Sequence, residues 1–463
     1  MAAPQYDLDD LDDRLVSAVS TKDPDAVREC LGDGADPNTS GPDGLPLLCA
    51  AVAGFDHETA GALTEAGADF GAELPDGTTP LLRAVDLGSP ALVGAMLGRD
   101  SRLRIAEADQ QRLLDLARHW YETGEAEELR RRTGASGPVT RRLTADDEYT
   151  DVEEVSLGGL TVRAGHGSVL TLLEREFGVQ APVAELVARA VPYAEPDEMH
   201  VNWSDARGAL ALRRSPQDWS ALTALRHHPD PVHRRFLASV LWSRNSLAGI
   251  QDRQDTGQEV EFLAMWARDE PDAQVLARVL VAYTCDDHED QEAIGLRYAD
   301  HPDPLVRREV PYCLIPWQTP PSEAATAALL ALARDPDSGV RLNMAQLFAQ
   351  PRDLTPSIRE ALLALVRDPD PDVRGRAAGS LACSHDRTAD VTEAFVALLD
   401  EEDQILRLEG AFGLAVRDDP RTDHAYERVG PLGPGFEHDH RVSAHWHYRR
   451  RNRPTGAGGP LDV

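Results

Sequence analysis

Asp368-Pro369-Asp370-Pro371-Asp372-Val373-Arg374-Gly375-Arg376-Ala377-Ala378-Gly379-Ser380-Leu381 reads as the opening of a helix. Asp370 suits the cap position and Pro371 the first helical position, where a missing N–H costs nothing. Val373, Ala377 and Leu381 then recur every four residues, the spacing of one buried helix face. His301-Pro302-Asp303-Pro304-Leu305-Val306-Arg307 and Asp335-Pro336-Asp337-Ser338-Gly339-Val340-Arg341 repeat the pattern. Earlier copies are His228-Pro229-Asp230-Pro231-Val232 and Glu270-Pro271-Asp272-Ala273-Gln274-Val275, and a weaker one starts at Asp403. With the turn aspartate as marker, copies fall at 230, 272, 303, 337, 370 and 403. The one long step, after 230, is accounted for by a polar insertion near Gly249 to Gly257. Each unit reads as a helix pair, with second helices such as Ser357 to Val366 and Thr392 to Leu399.

Residues 370–381 resemble the HEAT-like (PBS-lyase-type) repeat, DPDxxVRxxAAxxL, and the resemblance extends over 201–420. It implies an α-solenoid whose surfaces bind proteins. An arginine stands four places after the marker in five copies: Arg234, Arg307, Arg341, Arg374 and Arg407, with Leu276 the exception. The resemblance implies that these arginines link to turn aspartates of neighbouring units, a ladder along the stack rather than an anion-binding stripe. Trp242 falls in an internal slot of its unit and reads as core.

A second repeat lies near the N-terminus. Gly34-Ala35-Asp36 recurs as Gly67-Ala68-Asp69, and Asp43-Gly44 as Asp76-Gly77, each 33 residues on. Leu45-Pro46-Leu47-Leu48 and Thr79-Pro80-Leu81-Leu82 follow the two Asp-Gly turns. This pattern resembles the ankyrin repeat (DGxTPLHxAA, GADxN), with Leu48 and Leu82 in place of the family's histidine and Leu45 in place of one threonine. The resemblance implies an array over residues 1–132, closed by a degenerate helix pair at 109–132, whose turn tips and first-helix groove contact a partner. It places Pro42, Asp43, Leu74, Pro75 and Asp76 on the binding rim.

Residues 133–200 differ from both arrays. Val155-Ser156-Leu157-Gly158-Gly159-Leu160-Thr161-Val162 predicts a two-residue β-hairpin, followed by helices over Leu170 to Phe177 and Pro182 to Val191. We read this segment as an adaptor. After about Arg421 the periodicity is lost, and residues 421–463 read as a mobile tail rich in histidine (His438, His440, His445, His447) and arginine. The fold class expected is therefore mainly all-α: an ankyrin-like array, a small β-hairpin insert and a HEAT-like solenoid.

The chain of 463 residues carries 79 acidic and 47 basic side chains, a net charge of −32. That balance argues against nucleic acid or an anionic membrane as partner and favours a basic protein. Five scattered cysteines without CxxC spacing read as reduced thiols, and there is no signal peptide or run of about 18 apolar residues, so the expected location is the cytoplasm. Cys285 and Cys383 share one repeat slot and read as packing residues, and Ser384-His385-Asp386 is contiguous, which is the wrong geometry for a triad. Gly165-His166-Gly167-Ser168 reads as a turn entering a helix. Phosphate-loop, GxGxxG and HExxH patterns are absent. No catalytic residue, cofactor or metal is expected. The function expected is a non-enzymatic scaffold or adaptor, of which an immunity or anti-toxin protein is one form. The HEAT-like resemblance also implies an enzymatic alternative, of the lyase or DNA glycosylase type.

Overall fold

The structure, a computed structural model, describes residues 8–98, 105–194, 198–251, 256–315, 320–348, 353–436 and 438–452. The chain divides into two compact units, Met1–Arg244 and Asn245–Val463. The architecture is a mainly α-helical solenoid with one small sheet.

The first unit opens with α1 (Leu8–Thr21), α2 (Pro24–Asp33), α3 (Leu47–Ala53), α4 (His57–Glu65), α5 (Pro80–Leu87), α6 (Pro90–Leu97), α7 (Glu107–Thr123) and α8 (Glu125–Thr133). Each odd helix packs on the even one after it, α1, α3, α5 and α7 pack in succession, and α2, α4 and α6 do the same. The result is two layers of a repeat array. Its period is visible in single hydrogen bonds. The N–H of Gly44 donates to Gly41 O and that of Gly77 to Leu74 O; Ala35 N–H reaches Cys30 O and Ala68 N–H reaches Leu63 O. Asp23, Asp56 and Ser89, spaced by 33, cap α2, α4 and α6 by accepting from the N–H three residues on. These caps satisfy donors that the first turn of a helix leaves free.

The segment read as an adaptor follows as β1 (Thr140–Ala145), β2 (Asp151–Leu157) and β3 (Leu160–Arg163), antiparallel in the order β1-β2-β3. Leu157 pairs with Leu160 across Gly158 and Gly159, whose φ values of +60° and +85° make the tight turn that the Gly-Gly pair predicts. β1, with a single large apolar side chain, is an addition to the predicted hairpin. Then come α9 (His166–Phe177), α10 (Val183–Ala190), α11 (Val201–Ala211), α12 (Pro216–Ala224) and α13 (Pro231–Gln251). Val169, Leu170 and Leu173 of α9 are buried in the same core as Leu15, Leu63 and Leu92 of the array. The junction is also a close backbone approach. A Cβ on Gly88, at φ +71°, would lie 2.2 Å from Arg163 O, and one on Gly165 would lie 2.5 Å from Gly88 O.

The second unit contains α14 (Thr256–Ala267), α15 (Ala273–Tyr283), α16 (Gln291–Tyr298), α17 (Pro304–Leu314), α18 (Glu323–Leu332), α19 (Ser338–Leu347), α20 (Pro356–Leu365) and α21 (Pro371–Cys383). It ends with α22 (Ala389–Leu398), α23 (Gln404–Ala415), α24 (Thr422–Val429) and α25 (His440–Arg451). α15, α17, α19, α21 and α23 stack in succession, with α14, α16, α18, α20 and α22 as the second layer. Asp272, Asp303, Asp337, Asp370 and Asp403 cap the stacked helices.

The arginine ladder is present, with different acceptors. Arg307 grips Asp335 through Nε and Nη2 at 2.7 and 2.8 Å, and Arg341 grips Asp368 at the same distances. The gripped aspartate lies two residues before the one that caps the helix, and the cap Asp337 is gripped separately, by Arg308 at 3.0 Å. Nη1 of each arginine turns back to backbone oxygens, His301 O and Pro302 O for Arg307, Asp335 O and Pro336 O for Arg341. The next rung is weaker: Arg374 meets Glu401 once, at 3.3 Å, and its buried Nε has no partner. The longer glutamate does not reproduce the fork.

Three sequence expectations need correction. Residues 422–452, read as part of a mobile tail, form α24 and α25, and Ala444 and Tyr448 bury against Ala415. The polar bias there serves packing: Arg441 bonds Glu409 at 2.7 Å, Arg451 bonds Asp418, and His445 stacks on Tyr426 while bonding Asp423. Residues 453–463 lie outside the described ones. Cys383 is exposed and Cys285 only partly buried, beyond the end of α15, so their shared slot is not a packing slot. Trp242 is half-buried beneath the Arg207 guanidinium rather than in the core.

Candidate functional site

The array carries a groove of about 840 Å³. Its floor is apolar, with Phe70, Leu81 and Leu113 each at most 6% exposed. Its edge carries three exposed carboxylates, Asp69, Glu73 and Asp109, against one exposed cation, Arg112. Arg112 is itself tied to Gly77 O at 3.0 Å. Asp69 accepts the Gly71 N–H, whereas Glu73 and Asp109 make no side-chain hydrogen bond or ion pair among the described residues.

Of the five predicted rim residues, Pro42, Asp43, Pro75 and Asp76 are exposed on the turns. Leu74 is 5% exposed, so its side chain belongs to the core. Asp43 accepts the Leu45 N–H. Asp76 accepts both the N–H and the hydroxyl of Thr78 and bonds Arg83 at 2.9 Å; the Thr78 bonds above all hold its carboxyl at about 2. These side chains therefore shape the turns before they meet any partner. None of the five lines the groove, although Gly77, beside Asp76, does. The groove's own carboxylates escape the motif reading because Glu73 and Asp109 belong to no repeated signature; Asp69 alone is marked, by Gly-Ala-Asp.

The sequence clusters that suggested chemistry do not assemble. His166 is fully buried at the start of α9, stacked on Trp120 at 4.5 Å and flanked by Glu125 and Asp86 O at 3.3 and 3.2 Å. Cys285 lies against Val281 O, burial pushes its thiol pKa up, and His288 turns to Glu261. Ser384 donates to Leu381 O while His385 bonds Asp353. Each histidine is thus engaged away from its neighbouring nucleophile. Among the described residues, no helix is long and apolar enough to cross a membrane.

With this geometry in hand, comparison with known families gives one match: HEAT repeats, over residues 326–415. That span holds the Arg341–Asp368 rung of the arginine ladder and makes the C-terminal region HEAT-like, a class of helical repeats that generally serve as protein-interaction scaffold elements. No ankyrin-repeat family is detected. A comparison with curated proteins gives no match.

Proposed function

We propose that the chain is a non-enzymatic scaffold whose ankyrin-like N-terminal array holds a basic protein partner in its acidic groove. The observation that carries this reading is the pairing of a buried apolar floor (Phe70, Leu81, Leu113) with an exposed carboxylate rim (Asp69, Glu73, Asp109). An apolar floor supplies affinity by removing surface from water, and a rim of one sign speeds and selects the encounter with an oppositely charged partner. The 33-residue recurrence of turn and cap bonds supports the ankyrin-like reading even without a family match. An immunity-type protein that masks a basic effector inside the cell is one form of this function.

Capture of partners from extract of the native host tests it. The intact chain is expected to retain a basic protein, and the double variant Glu73→Lys, Asp109→Asn to retain about tenfold less, a change of about 1.4 kcal/mol. Undiminished capture by the variant would move the site elsewhere on the chain. Recovery of no protein partner would overturn the scaffold reading itself.

A further inference from the structure

The first unit holds a second cleft, of about 800 Å³, between α4 and α6 of the array and the adaptor's 145–150 turn, with α9 and α11 behind it. Its two walls differ in kind. One is apolar, from Pro90 and Ala95 on α6, Leu172 on α9 and Val201 on α11. The other is acidic, with Asp146, Asp147 and Glu148 in the turn and Asp205 deeper in.

The single arginine at the cleft, Arg163, is not available to a ligand. It is 7% exposed, lies over the Phe55 ring at 4.4 Å and bonds Asp146 at 2.6 Å. Asp146 is satisfied in turn by the Ser89 hydroxyl and the Ala91 N–H, both at 2.7 Å. Asp205 makes no ion pair among the described residues, Arg175 acting on it only from farther off. Its sole hydrogen bond among the described residues comes from the Ser168 hydroxyl, which leaves its second oxygen without a partner. Burial above all raises its pKa to about 6, against the lowering effect of the Ser168 bond and of the more distant Arg175 charge, with Asp146 and Asp147 adding to the rise. A carboxylate partly withdrawn from water without an adjoining counter-charge is costly, and a cation placed beside it recovers that cost. Asp147 and Glu148 at the turn add attraction at the entrance, as does Glu58 of α4, which lines the cleft together with His57.

We propose that this cleft binds a cation carried on a short apolar stem, the ammonium or guanidinium meeting Asp205 and the stem lying along Pro90, Ala95 and Leu172. A lysine or arginine side chain and a free alkylamine share this chemistry. The residues are distinct from those of the N-terminal groove, so the inference stands apart from the scaffold reading.

Isothermal titration of the full chain with cadaverine, with Nα-acetyl-lysine-methylamide and with neutral pentanol tests it. At least one of the two amines is expected to bind, and pentanol is not. Tighter binding of the blocked lysine assigns a protein-borne cation; tighter binding of cadaverine assigns a free amine. Asp205→Asn is expected to weaken binding at least about tenfold, the size of a charged hydrogen bond. Gly94→Leu fills the cleft without touching a charge, because a Cβ there sits 3.5 Å from Leu172 Cδ1, an ordinary contact. It decides the question should Asp205→Asn lose its fold. Silence from both amines, binding of pentanol as tight as theirs, or amine binding retained by folded Asp205→Asn or by Gly94→Leu, overturns the proposal.

Discussion

Aspartates cap helices and close turns in both repeat arrays, but only the HEAT-like array adds a ladder of arginines between its units. In the HEAT-like array, Asp335 and Asp368 are gripped by arginines of the preceding unit, so acid and base cancel inside the stack. In the N-terminal array, Asp23, Asp43, Asp56 and Asp69 accept backbone N–H groups with no arginine partner, while Asp76 and Asp86 meet Arg83 and Arg132. A hydrogen bond to an N–H organises a turn but leaves the negative charge in place. Residues 1–100 accordingly carry 19 acidic side chains against 5 basic ones, and their field reaches solvent. One period of about 33 residues thus yields arginine-paired rungs in one region and largely unpaired turn carboxylates in the other, although residues 221–420, with 34 acidic against 20 basic side chains, are also net acidic.

The most damaging way to break this contrast is to remove a rung. Arg341→Ala strips Asp368, whose side chain is 5% exposed, of its cation, and should cost about 3 kcal/mol in denaturant unfolding. A loss under about 0.5 kcal/mol would mean the ladder is ornamental. Acid should act on the same rungs. Burial alone would raise Asp335 and Asp368, but the bonds from Arg307 and Arg341 and from the following N–H groups outweigh it and hold both below the ordinary carboxylate range. Stability from a depressed pKa is complete above the unfolded value near 4 and is lost as pH falls through the folded one. Midpoints measured from pH 6 down to pH 3 should therefore drop, and drop less steeply in Arg341→Ala. On the other side of the comparison, Thr79→Ala removes the cap whose hydroxyl accepts the Leu82 N–H at 3.1 Å. It should cost about 1 kcal/mol, with its acid response unchanged because no charge is involved. The smallest effect sharpens the ladder: Glu401→Asp shortens the acceptor facing Arg374 toward the fork of the other rungs and should stabilise by about 0.5 kcal/mol. Raised stability would show that side-chain length limits this rung, and a loss would show that the backbone spacing does.

Much of this organisation is legible in the sequence because it depends on local chemistry. Asp-Pro at a helix start, Gly-Gly between alternating strands and Asp-Gly in a turn each act within a few residues, and the structure places all three as read. The unread features depend on distance or on weak local signals. Ser89, Asp146 and Arg163 meet across 57 and 74 positions, which no spacing rule connects. Strand β1 is exposed along most of its length and leans on β2 for its pairing. α25 offers the core little beyond Ala444 and Tyr448, one turn apart, amid charge that masks them. The groove was located only as far as its turns, because Glu73 and Asp109 come from unrelated positions that the fold brings together.

The close approach of Gly88 and Gly165 bears on how portable the acidic groove is. A fragment cut at residue 132, where the repeat pattern stops, would leave the third repeat facing water where α9 now lies, and would discard Val169, Leu170 and Leu173 from a shared interior. Grafting the groove onto another protein therefore requires carrying the chain through Phe177, hairpin included, even though the hairpin supplies none of the groove's lining residues.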